Sequence, residues 1–212
     1  MKISVITPSI RPEGLVVVQN ALAKQSLQDF EWLVEIGIPQ KGHDLNAAYN
    51  RMLKRAKGEL VVSLQDYIDI RSDGLEQFWE AYQKHPDTFY TAPVGRTLDY
   101  QDVEWDWRTH AAAQANWHSW EIDWASAPLE ALKKIGGFDE GCDGVWSMDN
   151  VNIGLRAEMA GYRFGHLPLN KAVAFDHNKT MKHPFDDKRD SAFHNQRMDE
   201  IRRGEVIIKY LC

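Results

Sequence analysis

Short apolar runs and segments of helical periodicity take turns along the first half of the chain. Ile3-Ser-Val-Ile6 is a β-type run closed by Thr7-Pro8-Ser9, and Arg11-Pro12 opens a helical stretch whose apolar positions are Leu15, Val18 and Leu22. Pro12 suits a first helical turn, where a missing N–H is no loss. Trp32-Leu-Val34 predicts a second strand, ending at Glu35 and Gly37. Leu45, Ala48, Tyr49, Met52, Leu53 and Ala56 then fall at helical spacing, with Asp44 before them as N-cap and Gly58 as the stop. Leu60-Val-Val-Ser-Leu64 is the continuous apolar run of a buried strand. A helix over 75–82 and a strand over 89–92 follow.

Such alternation predicts an α/β fold, a parallel sheet with right-handed crossovers. Ligands on such sheets bind at the carboxyl ends of the strands, where residues 8–11, 35–37 and 65–69 converge. The pattern breaks over 99–124, where Trp105, Trp107, Trp117, Trp120 and Trp124 crowd among acids and histidines. Beyond it come an apolar segment over 129–135, the Gly136-Gly137 turn and a helix over 150–160. A strand over 172–175, a polar loop with His177 and His183, and a last helix near 193–203 complete the chain.

The 212 residues can bury a core as one α/β domain, or as two lobes sharing a sheet. A net charge of −6 with no basic block argues against general nucleic-acid binding. It also means that a diphosphate ligand needs a bound cation, because no large positive field is present to neutralise it. Cys142 and Cys212 lie far apart without metal-ligand spacing, which points to free thiols in a reducing compartment ahead of the alternative, a disulfide. The opening residues are too short and too soon interrupted for a secretory signal. No apolar run approaches the roughly 20 residues that span a bilayer. The expectation is a cytoplasmic protein, with a peripheral visit to a membrane if the acceptor is lipid-linked.

Five motifs come in a telling order: Val5-Ile-Thr-Pro-Ser-Ile-Arg-Pro12, Ala56-Lys-Gly-Glu59, Gly136-Gly-Phe-Asp-Glu140, Asp149-Asn-Val-Asn-Ile-Gly-Leu-Arg156 and Ala160-Gly-Tyr-Arg163. Together they resemble the inverting GT-A glycosyltransferases of the large family two, over roughly residues 1–70 and 125–177. The resemblance implies a Rossmann-like, mostly parallel central sheet flanked by helices, with a smaller acceptor-binding part. Residues 1–98 would be the nucleotide-sugar-binding half, and 99–212 the acceptor-binding and catalytic half of the same domain. The implied reaction moves a sugar from a nucleotide-diphosphate sugar, UDP ahead of GDP, to an acceptor hydroxyl with inversion. The acceptor would be a saccharide, a lipid-linked saccharide or another hydroxyl compound, and the oligomeric state is left open.

By the same resemblance, Pro8, Ser9, Arg11 and Glu35 frame the nucleoside and phosphates. Asp66 holds the diphosphate through Mn²⁺ or Mg²⁺, with Asp69 and His177 as further metal ligands. Asp149 is the general base, and Asn150 stands where the family often has the catalytic Asp. Asp123, Trp124 and Trp146 belong to the acceptor pocket, where indole faces stack on sugar rings. Each has a plainer role beside it: a turn cap for Asp66, a loop position or a cap of the next helix for Asp69, a helix cap for Asp149, core packing for the tryptophans. Two departures bear on the chemistry. The metal motif reads Gln65-Asp66-Tyr67-Ile68-Asp69 rather than Asp-x-Asp, and the Asn150 amide cannot accept a proton as a carboxylate does. They motivate a rival reading, a non-catalytic nucleotide- or sugar-binding relic. A nucleotidyltransferase is the other rival, but Thr7-Pro-Ser-Ile-Arg11 is a poor version of its Gly-rich, basic phosphate loop.

Overall fold

In the computed structural model, which describes residues 1–37, 44–97, 99–106, 115–144, 149–168, 174–176 and 191–211, the first strand β1 (Ile3–Ser9) is buried along its whole length. A single 3-10 turn at Pro12–Gly14 leads into α1 (Leu15–Ala23), which is followed by β2 (Phe30–Ile36), α2 (Leu45–Arg55) and β3 (Leu60–Leu64). Next come β4 (Ile68–Ile70), α3 (Gly74–Lys84), β5 (Thr88–Thr91), β6 (Val94–Arg96) and β7 (Glu104–Trp105). The second half adds β8 (Trp124–Pro128), α4 (Leu129–Lys134), α5 (Asp149–Met159), β9 (Arg163–His166), β10 (Ala174–Asp176) and α6 (Ser191–Arg202).

The main sheet has the order β2-β1-β3-β8-β5-β9. β1 pairs parallel with both β2 and β3, and β5 with β9, while β8 runs antiparallel to its neighbours β3 and β5. β8 therefore carries a segment of the second half into the middle of the sheet. The chain pattern does not announce it, because Trp124-Ala-Ser-Ala-Pro128 has one bulky side chain and no run of β-branched residues. A smaller sheet, β4-β10-β6-β7, sits beside the carboxyl end of β3, its first strand only a few residues beyond Leu64.

Alternation along the strands sorts the core onto two faces. Val5 and Val62 join Val18, Leu22, Phe78 and Trp124 under α1 and α3. Ile6 and Val61 join Tyr49, Leu53, Leu132, Phe138 and Ile153 under α2, α4 and α5. The Tyr49 and Phe138 rings stack at 4.5 Å, fixing α2 to the Gly136-Gly-Phe turn. Gly136 needs its missing side chain there: its φ is +85°, and a Cβ would fall 1.9 Å from the Ile208 carbonyl oxygen. No helix among the described residues is long and apolar enough to cross a membrane.

Two local expectations change. Asp44 precedes α2 but makes no side-chain cap bond, because its carboxylate takes Arg51 at 3.0 Å. The amides of Asn46 and Ala47 are capped instead by Asp143, at 2.8 and 3.0 Å, from 97 and 96 residues further along the chain. Asp69, expected in a loop or at a helix start, lies in β4 opposite Phe175.

Candidate active site

The tip of β3 divides its two following side chains between two environments. Gln65 donates its backbone N–H to the Asp123 carbonyl at 3.1 Å and turns into a cleft of about 310 Å³. Glu121, Asp123, Arg96, Trp105 and Asp176 wall the same cleft. Asp66 points away from it, onto β1 and the turn that follows. Its Oδ2 accepts from the Ser9 hydroxyl at 2.7 Å and from Arg11 Nε at 3.2 Å, and Arg11 Nη2 donates to Oδ1. Ser9 Oγ in turn accepts the Arg11 backbone N–H at 2.9 Å, so the turn after β1 is tied to the acid it presents.

Burial pushes the Asp66 carboxyl above its ordinary pKa, against the pull of Ser9 and Arg11. Tyr67, in the left-handed region at φ 62°, lays its ring 5.0 Å from the Arg11 guanidinium and donates its hydroxyl to Glu13 at 2.9 Å. The ring fits only because residue 14 is glycine; a Cβ there would come within 2.4 Å of it. Arg11 Nη1 is left buried with no partner among the described residues.

This arrangement does not suit a divalent ion at Asp66. Both carboxylate oxygens are engaged by Ser9 and Arg11, and a cation already occupies the position a metal would need. Asp69 accepts the Tyr100 hydroxyl at 2.5 Å, and burial together with that bond pushes the phenol up to about 12. Among the described residues no three His, Cys, Asp or Glu side chains gather where they could hold a metal. His177 lies outside the described residues, as does Trp146.

The other candidate carboxylate, Asp149, stands in the first turn of α5 and keeps part of its surface accessible. Its Oδ1 accepts from Asn46 Nδ2 at 2.8 Å, and the same amide nitrogen donates to Asp143 Oδ1 at 3.0 Å. Burial, countered by Asn46 and reinforced by the charges of Asp143 and Asp139, pushes the Asp149 carboxyl up to about 7. The loop carrying Asp143 is held rigidly. Asn50 clasps the Phe138 backbone through both of its amide atoms at 2.9 and 2.8 Å, and Arg197 takes both oxygens of Asp139 at 2.8 and 3.0 Å. Tyr49 links Asp149 to the cleft side. Its hydroxyl meets Ser63 at 3.2 Å, burial raises its pKa, and the charges of Asp123 and Asp149 both raise it further.

The remaining expected residues fall as follows. Asn150 donates to the Trp120 carbonyl at 2.9 Å and to Glu121 at 3.1 Å, so its amide fixes one wall of the cleft. Glu35 gives both oxygens to Arg51 and Arg55, at 2.9 and 2.7 Å, and so ties α2 to β2. Pro8 is buried in β1 beside it. Asp123 reaches the cleft, as expected. Trp124 does not: it is 0% exposed and packs edge-on against Phe78 at 4.6 Å, because alternation in β8 turns it to the core face. Trp120 is also core, whereas Trp105 lines the cleft. The motifs did not single out Asn46, Glu121 or Asp143. Glu121 stood two residues from Asp123 in the tryptophan-rich segment, but Asn46 and Asp143 had no local sign.

A central mostly parallel sheet flanked by helices, with its polar side chains gathered at the carboxyl ends of β1 and β3, is the GT-A glycosyltransferase fold. Compared by sequence, the chain matches no family profile and no curated protein. Compared by structure, it is similar to S. aureus TarS 1-349 in complex with UDP-GlcNAc, with a TM-score of 0.68 and 15% identity over 97% of this chain and 66% of that one. The likeness to TarS 1-349 alone gives a TM-score of 0.65 and 17% identity, over 82% of this chain and 60% of that one. Full TarS matches at a TM-score of 0.65 and 15% identity, and the chain spans 39% of its length.

Proposed function

We propose that this chain transfers a sugar from a UDP-sugar to an acceptor hydroxyl, with Asp149 as the general base. The observation that carries the reading is the fold itself, which over 97% of this chain follows a protein crystallised with UDP-GlcNAc. Two local features support it. The Arg11 guanidinium, fixed by Asp66 just beyond the end of β1, has a buried Nη1 amino group that no described residue satisfies and that an anionic ligand, such as the diphosphate of a donor, would satisfy. Asp149 has a carboxyl whose pKa of about 7 lets it take a proton at neutral pH.

In this scheme Arg11 opposes the charge that develops on the leaving diphosphate. Asp149 draws the proton from the acceptor hydroxyl as it attacks the anomeric carbon from the opposite side, which inverts that centre. Gln65, Glu121, Asp123 and Trp105 offer the hydroxyl-rich substrates hydrogen-bonding groups and one indole face. No step runs through Mn²⁺ or Mg²⁺, since the oxygens of Asp66 are engaged.

UDP release from UDP-GlcNAc, UDP-glucose and UDP-galactose, measured with and without Mn²⁺, tests the proposal. Turnover lost in Asp149→Asn is the expected result. UDP binding without turnover of any donor would favour the relic reading, for which the amide at Asn150 speaks. A melting point that UDP and UDP-sugars leave unmoved would overturn the donor site, since a ligand of the native state raises it.

A further inference from the structure

We infer that Asn46 is a positioning residue whose single amide group holds Asp149 against Asp143, so that the two carboxylates titrate as a coupled pair. The inference deepens the proposed function and rests on Asp149 being its general base. Asn46 is 2% exposed at the second position of α2. Its Nδ2 carries two hydrogens, and both are used: one on Asp143 Oδ1 at 3.0 Å, the other on Asp149 Oδ1 at 2.8 Å. Asp143 is itself pinned by the backbone amides of Asn46 and Ala47, at 2.8 and 3.0 Å, so it cannot swing away. One helix start thus fixes the acid, the amide and the spacing between the two acids.

The surroundings make this amide decisive for Asp149. Facing it from the loop before α5 are Asp143, Asp139 and the buried thiol of Cys142. From α2 come Tyr49 and, beyond Asp143, Asp44. Among the described residues, the cations near this loop are Arg197 of α6, whose guanidinium is spent on Asp139 at 2.8 and 3.0 Å, and Arg156 of α5, which donates to Asn152 and to the carbonyls of Ile135 and Gly137. Asp149 therefore ionises among like charges, with Asn46 and its own backbone amide as the donors that favour the anion.

Two substitutions should act in opposite directions. Asn46→Ala removes the donor and leaves the like charge, which favours the protonated acid. Asp143→Asn removes the like charge, yet keeps an oxygen for the α2 amides, and Asn serves well at a helix start. The readout is the titration of the Asp149 carboxyl carbon by ¹³C NMR, assigned with Asp149→Asn, which needs no turnover. The expected result is a midpoint raised by about one pH unit in Asn46→Ala and lowered by about one in Asp143→Asn. If turnover is present, the acid limb of its pH profile moves with each midpoint, about tenfold in proton concentration, which loss of packing alone would not do. Midpoints that stay put, or move the same way in both variants, overturn the inference. Should Asn46→Ala fail to fold, the Asp143→Asn shift decides alone: a lowered midpoint supports the coupling and an unmoved one overturns it. Opposite shifts in a protein that turns over no UDP-sugar leave the coupling in place and count against the transferase reading instead.

Discussion

Asp66 and Asp149 are both aspartates at the ends of secondary elements, and burial raises the pKa of each, but their partners differ in kind. Asp66 faces a guanidinium and a hydroxyl that engage both of its oxygens. Asp149 faces one amide and a set of like charges. The first arrangement locks a carboxylate and, through it, aims an arginine. The second leaves a carboxylate poised near neutrality on a half-buried residue. Being acidic and well placed is therefore not enough to mark a metal ligand or a base; the atoms already bound to the oxygens decide between them.

The largest effect expected from this contrast is on turnover. Asp149→Asn keeps the shape and hydrogen-bonding ability of the side chain but cannot take a proton, and should lower kcat by about 10²–10⁴-fold. Glu121→Gln is the matched comparison, because Glu121 lines the cleft and is held by Asn150, the residue next to Asp149. It should cost less than tenfold if Glu121 serves as a wall. A larger loss from Glu121→Gln than from Asp149→Asn, in assays of UDP release, would move the base role to Glu121.

Second in size is the stability of the Asp66 side. Asp66→Ala leaves the Arg11 guanidinium facing Tyr67 without its partner. The Asp66 side chain is 4% exposed and that of Arg11 23%, so the pair is screened only in part. Chemical denaturation should report a loss of about 2–3 kcal/mol. The double variant Asp66→Ala with Arg11→Met should recover most of it, since an apolar chain needs no counter-charge. If the double variant is as unstable as the single one, the ion pair is not what Asp66 contributes.

Much of this frame was legible in the chain. β1 and β3 and helices α1 to α3 were expected where they occur, because buried runs and helical stripes are local signals. So was the convergence of residues at the strand ends. The separation of Gln65 from Asp66 was also within reach, since neighbours on a strand face opposite ways. β8 was not legible, because its small residues show no periodicity and its place depends on two strands from the first half. For the same reason Trp124 could be read as a pocket wall when alternation in β8 turns it inward. The cap of α2 was hidden for a different reason. Asp44 had the right position, but the carboxylate that does the capping comes from 97 residues further along. A tertiary contact of that length leaves no mark in local spacing, and the coupled pair around Asn46 rests entirely on it.

The smallest effect sharpens the comparison through stability rather than activity. Asp149 has a folded-state pKa of about 7, above the ordinary value of 3.8, so between these two values the native state binds more protons than the unfolded chain. Stability then falls as pH rises, and the fall is complete once pH has passed the folded value. Between pH 6 and pH 8 the native carboxyl releases most of its proton while the unfolded one has none left to give, a loss of about 1.4 kcal/mol. Asp149→Asn has no such proton. Its melting point relative to the parent chain should therefore rise by about 3–5 °C on going from pH 6 to pH 8, with the titrations of groups not coupled to Asp149 cancelling in the difference. Asp139 serves as the opposite control: the Arg197 pair outweighs burial and holds its carboxyl below the ordinary value, so its contribution is present above the unfolded pKa and lost only in acid. A difference between Asp149→Asn and the parent chain that stays flat across pH 6–8 would mean that Asp149 is already ionised at pH 6, and the distinction drawn between it and Asp66 would no longer hold.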